Sequence, residues 1–223
     1  LSSRNPLFFN NDIIISVATV NKSMDFFYRN GISDELLYVQ SGSGCILSNL
    51  GNLKCQPGDY VIIPRGIIWQ IVPDETLKLL VIESTGPIET PNRYRNRFGQ
   101  LLEHSPFCER DIKVPILQDP KDESGEFLIM AKTSSGIQEY TYAHHPYDII
   151  GWDGYYFPWS LNIGDFEPIV GSIHQPPPVH QTFQASGFVV CSFVPRLFDF
   201  HPDSIPAPYP HSNVDSDEII FYS

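Results

Sequence analysis

The chain has 223 residues, of which 42% are hydrophobic, and a formal net charge of −12 at pH 7. This composition can supply the core of one or two globular domains, and no apolar run approaches the ~20 residues that a membrane span needs. The acidic charge argues against a nucleic-acid partner, because phosphate contacts require clustered cations. The four cysteines are far apart and form no CxxC pair. They indicate reduced thiols in a cytoplasmic protein.

The first 84 residues are expected to form a β-barrel. Short β-branched segments at residues 12–20, 59–63 and 77–83 are separated by turn residues every ~8–12 positions, a spacing typical of all-β barrels and sandwiches. The turns contain proline and glycine, which fix φ near −65° and supply a positive φ respectively. Residues 85–141 are less regular and are predicted to be a connector with one strand at 126–132.

Two sequence signatures lie within this predicted barrel. The first resembles the cupin motif HxH(x)3–4E(x)6G at Glu35 and Gly42, with Asn30 in place of the second histidine. The second resembles the cupin motif G(x)5PxGxxH at Gly58, Pro64 and Gly66. Tyr28 and Trp69 occupy positions at which the motifs have histidine. A lone glutamate cannot hold iron and an indole does not ligate metals, so this barrel is predicted to bind no metal.

The first motif occurs again near the C-terminus. Residues 211–220 match residues 28–37, 183 positions earlier, at the Asn, Ser, Asp, Glu and the two following aliphatic positions. His211 stands where Tyr28 does, and Glu218 where Glu35 does. An internal repeat at this distance indicates two copies of one domain. The second copy reaches Ser223 before its own second motif, so the chain reads as a fragment.

These observations predict an all-β bicupin whose second barrel is incomplete. The expected divisions are a degenerate cupin at 1–84, a connector at 85–141 and the N-terminal part of a metal-binding cupin at 142–223. The repeat predicts an imidazole and a carboxylate, from His211 and Glu218, aimed at one metal ion, with Glu218 opening an apolar strand. Asp217 is the alternative carboxylate, because the four-residue spacing in the motif can shorten to three. His174 and His180 flank a polyproline segment, which is stiff, and are expected to line the pocket without being ligands.

The C-terminal half also carries family-specific residues. Residues 151–155, 193–196 and 208–213 resemble the homogentisate 1,2-dioxygenase family, in particular its homogentisate-dioxygenase-like prokaryotic branch. The resemblance implies a bicupin with non-haem Fe(II) held by two histidines and one glutamate in the second barrel, and O2 as co-substrate. It assigns His211 and Glu218 as ligands here, with the third ligand beyond Ser223. It also implies a small aromatic acid as substrate and assembly as a homo-oligomer.

One residue departs from the family pattern. The family's homogentisate enzymes have a histidine beside the substrate hydroxyl where this chain has Asp153. An aspartate can accept the same proton, but its ordinary pKa near ~3.9 makes it a weak base unless it is buried. Asp153 is therefore a candidate catalytic residue, with an Asp-Gly turn as the structural alternative.

The leading functional hypothesis is an Fe(II)-dependent ring-cleaving dioxygenase acting on homogentisate or a related dihydroxyphenyl acid. Two alternatives stay open at this point. Cupin ligand sets accept several divalent ions, so a metal-dependent isomerase or hydrolase can use the same residues. The second barrel can also have lost its metal, as the first did, leaving a non-enzymatic small-molecule binder.

Overall fold

The computed structural model of the protein describes residues 4–154, 156–169, 177–196, 201–203 and 210–223. These residues are almost wholly β, with three short 3-10 helices at Asn92–Tyr94, Ile163–Asp165 and Pro177–His180. The predicted all-β fold is confirmed. In the ranges just given, no helix has the length and apolar character needed to cross a membrane.

The strands of the described residues are numbered in chain order. They are β1 (Arg4–Phe9), β2 (Ile13–Val20), β3 (Phe27–Asn30), β4 (Asp34–Ser41), β5 (Gly44–Ser48), β6 (Gly51–Cys55), β7 (Asp59–Ile63), β8 (Ile68–Pro73), β9 (Leu77–Ser84), β10 (Ile112–Lys113), β11 (Ser124–Thr133), β12 (Gly136–His144), β13 (Trp159–Asn162), β14 (Gln181–Ala185) and β15 (Phe188–Cys191).

Two sheets form the N-terminal barrel. The first has seven strands in the order β1-β2-β9-β4-β7-β13-β10, and all its neighbours are antiparallel. The second has six strands in the order β12-β11-β3-β8-β5-β6, with β11 and β3 parallel. Strands β14 and β15 form a separate hairpin. The two barrel sheets therefore include strands β10 to β13, which lie after residue 84. The division of the chain into domains at 1–84, 85–141 and 142–223 stays a prediction.

The core of the barrel lies between the two sheets. Side chains alternate along a strand, so Leu37 and Val39 of β4 face the interior and pack with Val61 and Trp69. Glu35 has the same parity as Leu37 and faces inward with them. Removing these apolar surfaces from water is the main force that holds the sheets together.

A second cluster covers the outer face of the seven-stranded sheet. Leu36 and Tyr38, which alternate with the inward residues of β4, pack there with Leu161 of β13 and Phe183 of β14. The Tyr60 hydroxyl is 3.0 Å from Ser192 Oγ on this face. Strand β4 is buried on both sides for this reason, and the later part of the chain is anchored to the barrel.

The glycine of the first cupin motif is fixed by its surroundings. Gly42 has φ of +81°, and a Cβ there would lie 2.2 Å from the carbonyl oxygen of Thr76. Both the left-handed backbone and the close approach exclude a side chain. Gly58 and Gly66, in the predicted turns, also have positive φ, of +86° each.

Candidate metal centre

The structure brings together the two residues predicted as metal ligands. His211 Nε2 lies 2.9 Å from Glu218 Oε2, and Asn213 Nδ2 donates to the same oxygen at 2.7 Å. The side chains of His211 and Glu218 are 33% and 40% exposed. Ring and carboxylate therefore converge at an accessible point of the C-terminal segment.

The spacing of this pair suits two neighbouring ligands of one cation. Nitrogen and oxygen ligands of a divalent metal stand about 2.0–2.2 Å from the ion, which puts two ligands at right angles about 3.0 Å apart. The observed 2.9 Å agrees with that separation. Within the described ranges, no group of three or more His, Cys, Asp or Glu side chains is placed to hold a metal. The donor set present thus fits part of a metal site.

The predicted strand after Glu218 is absent from the structure. Residues 219–223 have no regular secondary structure. Instead, the segment contacts the outer face of the seven-stranded sheet, where the Tyr38 hydroxyl donates to Ser223 Oγ at 2.8 Å and the rings of Tyr38 and Phe221 lie 6.0 Å apart. An isolated extended segment lacks the neighbour whose hydrogen bonds define a strand.

The N-terminal copy of the motif makes the same hydrogen bonds. Tyr28 Oη donates to Glu35 Oε1 at 3.3 Å, and Asn30 Nδ2 donates to that oxygen at 3.1 Å. The donors precede the glutamate by seven and five residues, as His211 and Asn213 precede Glu218. The sequence repeat is thus matched by a repeated constellation of side chains. Burial and the charge of Glu35 raise the pKa of Tyr28, so the phenol stays protonated and is a poor metal ligand.

In the N-terminal copy, an arginine supplies the positive charge. Arg4 Nη1 lies 2.6 Å from Glu35 Oε1 and 3.1 Å from Glu83 Oε1. Lys132 Nζ also pairs with Glu83, and Asn30 Nδ2 donates to Glu83 Oε2 at 3.0 Å. We call Arg4, Glu35, Glu83 and Lys132 the buried charge cluster. Sequence reasoning missed it, because its members lie on four strands that only the fold brings together.

This cluster predicts that Glu35 makes no contribution to metal content. We expect Glu35→Gln to change the amount of metal bound by the full-length protein by less than about a tenth of an equivalent. The Arg4 guanidinium is already paired with the Glu35 carboxylate, so a metal ion would have to displace it. Elemental analysis after dialysis measures this, with circular dichroism as the check on folding. A loss of metal equal to that caused by Glu218→Gln would contradict the assignment.

The cluster also predicts an acid dependence of stability. Burial acts to raise the pKa of Glu83, but the hydrogen bond from Lys132 and the charges of Arg4 and Lys132 outweigh it and lower that pKa. A lowered folded-state pKa gives stability that is present above the unfolded value of about 4.3 and is lost as pH falls further. We expect Lys132→Met to be less stable than the wild type at pH 7, with the two converging below about pH 4. Urea unfolding at several pH values measures this, and a constant difference would contradict it.

Asp34, which precedes Glu35, lies outside this cluster. Asp34 points away from the barrel interior, and its carboxylate accepts from the backbone N–H groups of Arg65 and Ile88 at 3.0 and 3.1 Å. It fixes the loop after β7 and the chain after β9. By the repeat, Asp217 corresponds to Asp34, which favours Glu218 over Asp217 as the ligand.

The structure also describes Asp153 and His180. Asp153 is exposed, and among the described contacts it has no hydrogen bond or ion pair with His211 or Glu218. His180 is buried, with its ring 4.7 Å from that of Phe193 and its Nε2 3.3 Å from Arg196 Nη1. His174 lies outside the described residues. The pocket-lining role of the two histidines stays a prediction.

Several solved structures are similar to part of the chain. A cupin-2 domain protein from Shewanella frigidimarina is 23% identical with a TM-score of 0.34, and covers 37% of this chain and 79% of its own. A cupin superfamily protein from Desulfitobacterium hafniense is 18% identical with a TM-score of 0.33, covering 36% and 74%.

Sequence comparisons identify closer relatives. A Saccharolobus solfataricus protein named "Putative dioxygenase" is 45% identical over 218 residues, which are 97% of this chain and 56% of that protein. Homogentisate 1,2-dioxygenase of Bradyrhizobium diazoefficiens is 24% identical over 213 residues, 90% of this chain and 46% of the enzyme. The chain thus spans about half the length of these curated relatives. The family described as "Homogentisate 1,2-dioxygenase N-terminal" matches residues 3–163. The chain therefore belongs to the homogentisate 1,2-dioxygenase-like family.

Proposed function

We propose that this chain is part of an Fe(II)-dependent ring-cleaving dioxygenase that acts on homogentisate or a related dihydroxyphenyl acid. The observation that carries the proposal is the convergence of His211 and Glu218 at 2.9 Å, at the position in the repeat where the N-terminal copy has Tyr28 and Glu35. Family membership supports the reaction class, and the named activity of the Bradyrhizobium relative supports the substrate class.

His211 and Glu218 would hold the iron, with the third ligand supplied by residues that follow Ser223 in a longer protein. Two imidazoles and one carboxylate on one face of Fe(II) leave positions for a chelating substrate and for O2, and the bound ion would supply electron transfer from the diol to oxygen. Asn213 would position one of the two ligands. Its amide donates to Glu218 Oε2 and holds that carboxylate towards His211.

The test uses a protein that contains this chain and has the full length of its curated relatives. This protein is loaded with Fe(II), and its oxygen uptake is measured. We expect O2 consumption and ring cleavage with homogentisate or a close dihydroxyphenyl acid, and none after chelation of the metal. Turnover without O2 would indicate the isomerase or hydrolase class. Binding of the aromatic acid without turnover by the loaded protein would indicate a non-enzymatic binder.

We further propose that Asp153 accepts the proton of the substrate hydroxyl. Its side chain is exposed, which leaves it open to a bound substrate. We expect Asp153→Asn to keep the iron and to lower turnover by ~10²-fold or more, because general-base catalysis contributes that much. Stopped-flow turnover and metal analysis measure the two effects, and Asp122→Asn, at another exposed carboxylate, is the matched control. Equal turnover in both variants would exclude Asp153 as the base.

A further inference from the structure

A buried histidine outside the candidate metal centre lies at the end of the β11–β12 hairpin. His145 follows β12 directly, begins the bend at residues 145–147 and is 7% exposed. Its ring lies 5.2 Å from that of Phe27 on β3, 4.9 Å from that of Phe127 on β11 and 5.2 Å from that of Tyr147. The imidazole therefore stands among three aromatic rings, and the proposed iron chemistry does not use it.

One nitrogen of this imidazole accepts a hydrogen bond from the backbone. The N–H of Tyr147 donates to His145 Nδ1 at 3.0 Å. A ring nitrogen that accepts a hydrogen bond carries no proton, so this contact requires the neutral ring with its proton on Nε2. A proton on Nδ1 would set two N–H groups against each other. Protonation of the ring at this nitrogen and the contact with the backbone therefore exclude each other.

The bend is tied to the rest of the barrel by three further hydrogen bonds. The backbone N–H of His145 donates to the carbonyl oxygen of Glu123 at 2.9 Å. The backbone N–H of Lys121 donates to the carbonyl oxygen of Tyr147 at 3.0 Å. The Tyr147 hydroxyl donates to the carbonyl oxygen of Leu47 on β5 at 3.0 Å. The contact with Nδ1 is the one member of this set that a proton can break.

The surroundings of the ring favour its neutral form. Strands β3 and β11 present aromatic rings to it, and charged groups act on it from the segments before β11 and after β12. Burial and the charge of Lys121 lower the pKa of His145. Glu123 and Asp148 act in the opposite direction with a smaller effect. A histidine whose pKa is lowered in the closed state takes up protons more readily when the bend is open, so the closed state loses stability as pH falls below about 6.5.

We propose that the bend opens when His145 takes up a proton, so that this residue acts as a pH-dependent latch on the barrel. The neutral ring holds the bend against Phe27 and Phe127, and the protonated ring releases it. The exposed residues 150–154, which include Asp153, follow the bend and gain freedom when it opens. The latch rests on contacts within the described barrel and does not depend on the proposed iron chemistry.

The experiment measures amide hydrogen exchange by NMR between pH 7 and pH 5, with rates corrected for the intrinsic effect of pH on exchange. The Tyr147 N–H is expected to lose up to about tenfold of its protection per pH unit below about pH 6.5, because opening is coupled to the uptake of one proton. Amides of β4 are expected to keep their protection, since the pKa of Glu83 in the buried charge cluster is lowered and that cluster loses stability only at more acidic pH. Constant protection of the Tyr147 N–H, or an equal fall in β4, would overturn the proposal.

Two variants test the role of the ring itself. His145→Asn keeps an acceptor for the N–H two residues on but does not titrate, so the protection of the Tyr147 N–H should stay within about twofold over the same pH range. His201→Asn is the matched control, because the Asp203 N–H donates in the same way to Nδ1 of the exposed His201, at 3.1 Å. It should leave the fall at Tyr147 unchanged. A fall that persists in His145→Asn would refute the latch.

A second measurement needs no substitution. The 15N chemical shifts of the His145 ring in the wild type should place its single proton on Nε2 at pH 7, because Nδ1 accepts from the backbone. A proton on Nδ1 at that pH would contradict the hydrogen bond on which the latch depends.

Discussion

Replacing Arg4 with methionine is expected to destabilise the protein by about 3–5 kcal/mol, because removal of one member of a buried ion pair leaves the other charge uncompensated. Arg4 is 14% exposed, and the Glu35 and Glu83 side chains that it pairs with are 0% and 6% exposed. Lys132 still pairs with Glu83 in the variant, so the unpaired charge would be that of Glu35. Urea unfolding at pH 7 measures the change.

The control is Arg95→Met, which removes a more exposed pair with Glu89 whose side chains are 21% and 49% exposed. It should change stability by no more than about 1 kcal/mol. Adding Glu35→Gln to Arg4→Met should recover much of the loss, because the amide is neutral. A double variant as unstable as Arg4→Met alone would show that packing of the arginine stem, and not its charge, is what the barrel requires.

Glu218→Ala is expected to weaken Fe(II) binding by at least about 100-fold in the protein at the full length of its relatives, because affinity depends on the number of ligands and their preformed geometry. The removed carboxylate is the one that lies 2.9 Å from His211. Anaerobic titration with Fe(II), followed by a chelator competition, measures the change. O2 uptake with a dihydroxyphenyl acid should disappear in parallel.

Asp217→Ala is the matched control one residue away. In the N-terminal copy of the motif, Asp34 occupies the position of Asp217. The Asp34 carboxylate accepts hydrogen bonds from backbone N–H groups and does not join the contacts among Tyr28, Asn30 and Glu35. We therefore expect Asp217→Ala to keep most of the iron, with some loss of thermal stability. Full activity after Glu218→Ala would refute the dioxygenase proposal, and loss of iron only in Asp217→Ala would move the ligand by one position.

Strands that are apolar runs between turn residues could be predicted closely from the sequence. The segment predicted at 77–83 became β9 (Leu77–Ser84), and the one at 59–63 became β7 with the same bounds. The single strand predicted in the connector, at 126–132, lies within β11. In each case β-branched residues stand between turns, so local sequence and fold agree.

Other elements could not be predicted because their structure depends on distant partners. Strand β1 begins with Arg-Asn-Pro and has no alternation, and only its pairing with β2 makes it a strand. Strand β15 (Phe188–Cys191) consists of apolar residues, yet Phe188 and Cys191 are only partly buried. Of the four cysteines, Cys55 is the buried one, and burial raises the pKa of its thiol to about 12.

The candidate site shows the same division. The motif spacing predicted that His211 and Glu218 would be metal ligands aimed at one point. The two side chains lie 2.9 Å apart within one short segment, and their role as ligands stays a prediction. The spacing contained no sign that Arg4 would serve as the cation of the N-terminal copy, because Arg4 reaches Glu35 only through the pairing of β1, β2, β9 and β4. Local constellations follow from sequence, whereas contacts across a sheet follow from topology.

The position of β13 in the seven-stranded sheet bears on how the protein folds during synthesis. Strand β13 lies directly beside β7, although many residues separate them in the chain. While those residues are translated, at about 5–20 per second, the ribosome-bound chain has a finished β7 with an unpaired edge for several seconds. Unpaired edges invite pairing with other chains, so the nascent barrel is expected to need a holding chaperone until Trp159–Asn162 has emerged.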